Sequence, residues 1–465
     1  MITMVSGGGA SEVTGSFHNY IFDDNLDEVM AIDCGGRPVG FSTDIAVLAA
    51  NGEAASGNGY RDMITAEESR TVSWPNLEVV PRVRYCLLSH GHLDHVLAAV
   101  LLAQKHRDIV LYGTNPTQWF CKFHWDTTLR FAKKDVEKPF SFDYADVEHA
   151  VSRFQEIPAL DEFVPPIKLN DAVSFIPVRA GHILGAASFF IVYRNEVVGF
   201  HSGDIATFDQ RTVWGAPKIE LPTGLRFMVI DGTRITEAGA SRETAEEEFK
   251  QKIGEWYCAG KSIRILSFSI GRTQECYELV REACPHAPIW IDGAGRDIST
   301  LYLEQLPPGR IDPKIKSHFV RDWEHRRRII VGGPNIVLVP SAMQFGGCAM
   351  PYIRYGISRR DHVFVNPGWL DPCSPEYAFF EGKRGQVIEF RKNGEKETVP
   401  RFCEVARFNL TAHWSGDDAL EAWERMKPEK TIIVHSDPER VAEFIAKHPG
   451  KGFIAGQNEV PIRLL

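Results

Sequence analysis

The sequence is poor in several signals that would settle its class early. Its nine cysteines are scattered, odd in number and free of C-x-x-C pairs, so neither a disulfide framework nor a thiolate zinc cluster is implied. No stretch approaches the roughly 18 uninterrupted apolar residues of a membrane-spanning helix, and no membrane association is expected. Met1 to Ser6, running into Gly7-Gly8-Gly9, shows no basic segment followed by a long apolar one, so no signal peptide is expected. Basic excess is missing as well. With a formal charge of −9, any polyanionic partner would have to meet a local basic surface. Internal repeats and low-complexity tracts are absent. A reducing cytoplasm suits these cysteines best.

What remains is ordinary globular material: 44% hydrophobic and 24% charged residues over 465 positions. That is enough for two or three domains, or one catalytic unit with an insertion. The N-terminal half reads as short apolar strands at Val29 to Asp33, Val83 to Leu88, Ile109 to Tyr112 and Ala187 to Val192. A helix is expected after His95, with Val96, Ala99, Val100 and Ala103 at helical spacing. Asn51 to Tyr60, rich in Gly, Ala and Ser, reads as a surface loop. From about Thr233 the pattern turns to strand–helix alternation. Strands are expected at Ile263 to Phe268, Pro288 to Asp292 and Ile336 to Pro340, with a helix over Thr273 to Ala283. The tail offers a helix at Asp418 to Met426, a strand at Thr431 to Val434 and a helix at Pro438 to Lys447.

The chemistry concentrates in His90-Gly91-His92-Leu93-Asp94-His95, directly after an apolar strand. In an extended turn, residues two apart point the same way, so His90 and His92 can grip one ion while Asp94 and His95 face a second. Imidazole and carboxylate ligands suit Zn²⁺ with positions left for water. Two further groups follow strands. His182 lies in Ala180-Gly181-His182-Ile183-Leu184-Gly185, where glycines let the backbone come close. Asp204 lies in Ser202-Gly203-Asp204, where its carboxylate could bridge two ions.

These segments, with Gly8-Gly9-Ala10-Ser11-Glu12-Val13-Thr14-Gly15-Ser16 and Ile32-Asp33-Cys34-Gly35, resemble the metallo-β-lactamase/β-CASP nucleases. That family includes the endonuclease subunit of the mRNA cleavage and polyadenylation machinery, ribonuclease J and the Artemis group. The second half continues the resemblance. Ser267-Phe268-Ser269-Ile270-Gly271-Arg272-Thr273-Gln274-Glu275 is similar to one family segment, and Ser341-Ala342-Met343-Gln344-Phe345-Gly346-Gly347 to another. Thr411-Ala412-His413 and Val434-His435-Ser436 fall where the later family motifs stand. After Asp231 the family usually has Thr-Tyr-Gly, whereas this chain has Gly232-Thr233-Arg234.

The resemblance implies an α/β fold: a metallo-β-lactamase αββα sandwich over residues 1–232 and 386–465, with an inserted β-CASP domain over 233–385. It implies two Zn²⁺ per chain, one on His90, His92 and His182, the other on Asp94, His95 and His435, with Asp204 bridging. Asp33 becomes the buried carboxylate that orients ligand imidazoles. His413, held by Asp231, becomes the proton donor to the leaving oxygen. RNA-cleaving members carry histidine at the third motif, and here His435 stands there, so single-stranded RNA is the favoured substrate. A DNA nuclease and a small-molecule ester or thioester hydrolase are the alternatives, and a homo-oligomer is compatible with the sequence. Phosphate contacts are expected from Arg272, Thr273, Ser341, Gly346 and Gly347, through backbone N–H groups at the helix start and the glycine pair. Arg326-Arg327-Arg328 reads either as an extension of a basic path or as a solvated face. The tryptophans are expected in the core, not as base-stacking platforms.

Overall fold

The computed structural model describes residues 1–38, 72–132, 141–158, 160, 164–217, 222–239, 242–340, 347–370, 375–392 and 395–465. The expected loop at Asn51 to Tyr60 lies outside them. Two compact units emerge. One joins Met1–Arg37, Val72–Ala240 and Ala412–Leu465, and the other takes in Ser241–Thr411.

The first unit is built on two seven-stranded sheets. One runs Ile462–Arg463, Ile2–Gly8, Phe17–Phe22, Val29–Ile32, Val83–Leu87, Val110–Thr114, Phe154–Ile157. The other runs Phe453–Ala455, Lys430–Val434, Phe227–Asp231, Glu196–His201, Ala187–Tyr193, Val173–Arg179, Ile167–Lys168. One core, including Ile2, Tyr20, Leu87, Phe175, Phe189, Ile191, Val229 and Val434, draws side chains from both sheets. The sheets therefore pack face to face. Each such large apolar side chain contributes about 1.5–3 kcal/mol by leaving water.

The other face of the first sheet is covered by Ala99–Lys105, Asn115–Ala132 and Tyr144–Ser152, through Val100, Cys121, Trp125 and Val147. Asp143 and Asp146 cap the last of these reciprocally, accepting the first backbone N–H groups. On the second sheet, Ala422 and Met426 of Gly416–Met426 close over Val178 and Phe200, around a cavity of about 60 Å³. Helix, sheet, sheet, helix is the αββα order expected. The helix after His95 is broken into Leu93–Val96 and Ala99–Lys105.

The second unit carries a five-stranded, all-parallel sheet: Ile289–Ile291, Ile336–Pro340, Ser262–Ser267, His362–Asn366, Glu404–Arg407. Its inner strands Ile336–Pro340, Ser262–Ser267 and His362–Asn366 are almost wholly buried, as the middle of a sheet covered on both faces requires, while the edge strand Glu404–Arg407 is half-exposed. The sequence places the end of the inserted domain at 385. The structure keeps the following segment in this unit, because Glu404–Arg407 pairs with His362–Asn366. Glu404–Arg407 ends where its partner strand ends, at Asn366.

Candidate metal centre

The HGHLDH turn begins where strand Val83–Leu87 ends. His92 is extended (φ −76°, ψ 150°) and stands at the N-cap of Leu93–Val96, so Asp94 and His95 start a helix. Gly91 has no room for a side chain, since a Cβ would lie 2.3 Å from Phe120. His124, which the sequence gave no reason to single out, lies 3.0 Å from the Gly91 carbonyl. Burial pulls its pKa down to about 4, so a neutral ring donates Nε2–H and holds the turn.

Hydrogen bonds assign the ring tautomers from the network. Ser89 Oγ donates to Asp33 Oδ2 at 2.8 Å, so His90 Nδ1, 3.0 Å from that Oγ, must be the donor there. His182 Nδ1 donates to the Ala412 carbonyl at 2.8 Å. Both Nε2 atoms therefore present lone pairs, and each lies 3.1 Å from His92 Nδ1. His92 Nδ1 has one proton at most, so it can satisfy only one of them. Asp204 Oδ2 stands 3.6 Å from His90 Nε2 and from His182 Nε2.

A second focus adjoins it. His95 Nδ1 is 2.7 Å from Asp33 Oδ2, turning Nε2 towards Asp204 Oδ1 at 3.4 Å and Asp94 Oδ2 at 3.9 Å. His95 Nε2 and Asp204 Oδ1 are buried without a hydrogen-bond partner. His435 points Nε2 at Asp94 Oδ2, 3.4 Å away. Its other nitrogen is 2.9 Å from Thr233 Oγ1, a contact the sequence did not reveal. Asp33 and His435 both hold left-handed backbone, at φ 61° and 57°, a strain found where surrounding structure imposes it.

The electrostatics agree with a cation site. Burial disfavours charge on His95, but Asp204, Asp33 and Asp94 outweigh it and raise its pKa to about 10. Burial also raises the Asp204 carboxyl above the ordinary range. For Asp94, burial is more than offset by His95 and His435, and its carboxyl is held low. Positive charge is demanded at this point. Two donor sets meet the requirement: His90, His92, His182 and Asp204, and Asp94, His95 and His435, each with atoms within 4.8 Å of one another. Lone pairs about 3.1 Å apart suit nitrogens sharing one Zn²⁺ at roughly 2.0–2.1 Å. Asp33, accepting from Ser89 N, Ser89 Oγ and His95 Nδ1, sits behind both sets.

Asp231 and His413 form a pair beside them. Nδ1 of His413 is 2.8 Å from Asp231 Oδ2. Burial disfavours the charged ring, but Asp231 and Asp204 raise its pKa. His413 in turn offsets burial and holds Asp231 at about 2. His413 lies in an irregular segment, held by Trp414 N to the Ile205 carbonyl (2.7 Å) and Trp414 Nε1 to the Asp231 carbonyl (2.8 Å).

In the Ser241–Thr411 unit the phosphate expectation needs correction. The N–H groups of Gly271, Arg272 and Thr273 already bond to Gln274 Oε1, Ile270 O and Phe268 O, so this helix start is no open anion cradle. The Thr273 hydroxyl is also spent, on the Phe268 carbonyl at 2.7 Å. Arg272 differs: its Nη1 is buried without a partner. Gly347 opens the short 3-10 helix Gly347–Ala349, while Ser341 and Gly346 lie outside the described residues. Arg326 is committed to the buried Asp292 carboxylate, at 2.6 and 2.9 Å.

An αββα sandwich with paired His/Asp donor sets at one edge defines a metal-dependent hydrolase of the metallo-β-lactamase class. Residues 60–200 match the family model described as metallo-beta-lactamase superfamily domain. The chain is 23% identical over 365 residues to Probable RNase MJ4 of Methanocaldococcus jannaschii, covering 75% of this chain and 81% of that one. It is 23% identical over 440 residues to RNase aCSPSF2 of Saccharolobus solfataricus, covering 92% and 84%. A solved structure of a protein of unknown function from Enterococcus faecalis V583 matches with a TM-score of 0.55 at 13% identity, over 99% of each chain. That last likeness shows the fold alone. By these comparisons the chain is similar to metallo-β-lactamase/β-CASP nucleases.

Proposed function

We propose that this chain is a zinc-dependent ribonuclease that hydrolyses phosphodiester bonds of single-stranded RNA. Both relatives above carry the name RNase, and His435 stands where RNA-cleaving members of the family carry histidine. The observation that carries the reading is the convergence of imidazole lone pairs on Asp204, beside a separate His413–Asp231 pair. His90, His92 and His182 would hold one zinc and Asp94, His95 and His435 the other, with Asp204 between them. Bound there, the ions would neutralise charge developing at phosphorus and make water acidic enough to serve as nucleophile near pH 7.

The chain's own residues do the rest. Asp33 fixes the tautomer of His95 directly and that of His90 through Ser89. Asp231 holds His413 Nδ1, leaving Nε2 to carry the proton that the departing ribose oxygen takes up. Arg272, with an unused donor, is the phosphate contact we retain. The Ser241–Thr411 unit is assigned as the β-CASP domain. Among the described residues no helix is long and apolar enough to cross a membrane, and eight cysteines are free thiols. These support a cytoplasmic setting.

End-labelled RNA and DNA, incubated with and without chelator, test the substrate; faster DNA cleavage at equal salt reverses the choice. His413→Ala should keep both zinc ions and lose roughly 10²-fold or more in cleavage rate, whereas His435→Ala should lower the occupancy of one metal. Asp204, Asp231 and His413 also lie close enough together to hold an ion. A zinc ion lost from His413→Ala would make that histidine a ligand and end its assignment as proton donor.

A further inference from the structure

We propose that the exposed face of helix Trp323–Val331 docks single-stranded RNA, a base resting on Trp323 and phosphates on Arg321, Arg327 and Arg328. The proposal rests on the ribonuclease reading for the identity of the strand. Its observations are independent of the metal centre.

The first is charge. The whole chain is −9, yet residues 310–328 hold seven Lys/Arg against three Asp/Glu, a local +4. Arg321, Arg327 and Arg328 are exposed, and among the described residues none has an ion-pair partner. Many other surface cations among the described residues lie within reach of a carboxylate, as Lys252 does of Glu255 at 2.8 Å. Three arginines left open in an acidic protein are the electrostatic footprint of a polyanion.

The second is the indole. Trp323 is 58% exposed, contrary to the expectation that the tryptophans are core. It stands on a rigid support. Arg326 Cζ lies 5.9 Å from its ring centroid, and Arg326 is clamped on Asp292, which also accepts from Tyr352 Oη at 2.9 Å. Asp292 directly follows strand Ile289–Ile291. The clamp therefore fixes Trp323 at the carboxyl edge of the parallel sheet, the edge where open α/β folds bind ligands. Helical spacing puts Arg327 on the same face as Trp323. A held aromatic ring flanked by unpaired arginines is the arrangement single-stranded nucleic acid uses, stacking for bases and charge for phosphates.

The test uses the metal-loaded full chain and a fluorescein-labelled uridine decamer, with anisotropy read before cleavage and KM and kcat measured in parallel. Trp323→Ala should weaken binding about tenfold and leave the salt slope unchanged. The triple substitution Arg321→Gln, Arg327→Gln, Arg328→Gln should flatten the slope of log Kd against log salt by about 2. Both should raise KM without changing kcat. Unaltered Kd, slope and KM in both variants overturn the docking surface, even where the parent cleaves RNA. A poly-glutamate peptide binding as tightly as RNA, and as dependent on Trp323, also overturns it in favour of a protein partner. Failure of the ribonuclease reading looks different: the parent protein itself would not cleave the decamer.

Discussion

In the unit built on two facing sheets, the buried polar groups are imidazoles and carboxylates turned towards one another. In the Ser241–Thr411 unit, Arg272 apart, several are guanidiniums turned towards carboxylates and carbonyls. Arg242 bonds Glu246 at 2.6 Å and Glu275 at 3.3 Å, Arg326 grips Asp292, and Arg264 Nη1 meets Asn335 Oδ1 at 2.7 Å. There the chain supplies its own cation. Around Asp204, imidazole nitrogens and carboxylates converge on a gap that an added cation would fill. Buried charge that closes on itself stabilises; buried charge left open towards a common point marks chemistry.

Three measurements can break or sharpen that contrast. The largest effect is expected from Asp292→Ala, which leaves the Arg326 guanidinium without its buried partner and should cost about 3–5 kcal/mol in urea unfolding. Zinc content should not change; a loss of metal would show that the two networks are not separate. Next comes chelation. Metal bound to the folded state at a thousandfold its Kd stabilises by about 4 kcal/mol, so chelator should lower one calorimetric transition and spare another. A single transition, moved as a whole, would erase the distinction.

The smallest effect is acid lability of the metal-holding unit. Burial brings the pKa of His124 and of His201 down to about 4, against about 6.5 when unfolded. Between those values the unfolded chain binds more protons than the folded one. Stability therefore falls as pH drops from 6.5 to 4 and levels off below. Each ring contributes about 2 kcal/mol between pH 6.5 and 5. His124→Gln, which keeps a donor for the Gly91 carbonyl, should remove its share; an unchanged pH dependence would refute the assignment.

How much of this was legible in the sequence follows from how local each signal is. The HGHLDH turn packs four donors into six residues, and apolar runs mark the strands feeding it. Asp204, His182 and His435 were reachable through their motifs. Thr233 and His124 were not, since each acts through one contact made far along the chain with no periodicity to betray it. Arg326 was misread for the same reason. Its neighbours suggest a basic face, but its partner Asp292 lies 34 residues away. The helix start at Gly271 looked open because a sequence does not show that Gln274, Ile270 and Phe268 already accept its N–H groups. The end of the inserted unit was placed too early because Glu404–Arg407 joins its sheet only through long-range pairing.

One feature of the metal-holding unit bears on how such enzymes diversify. Where the chain departs, near Gly239, and where it returns, near Ala412, the two stretches are sewn together. Trp414 Nε1 holds the Asp231 carbonyl at 2.8 Å, Arg234 Nη1 the His413 carbonyl at 3.3 Å, and Gly239 N the Asp417 carboxylate at 2.9 Å. Exit and re-entry thus share one seam. With both ends of the inserted segment fixed on this seam, a change in its length can leave the strands that carry the donors in place. His413 sits on the seam itself, so every such change must restore the same last stitch.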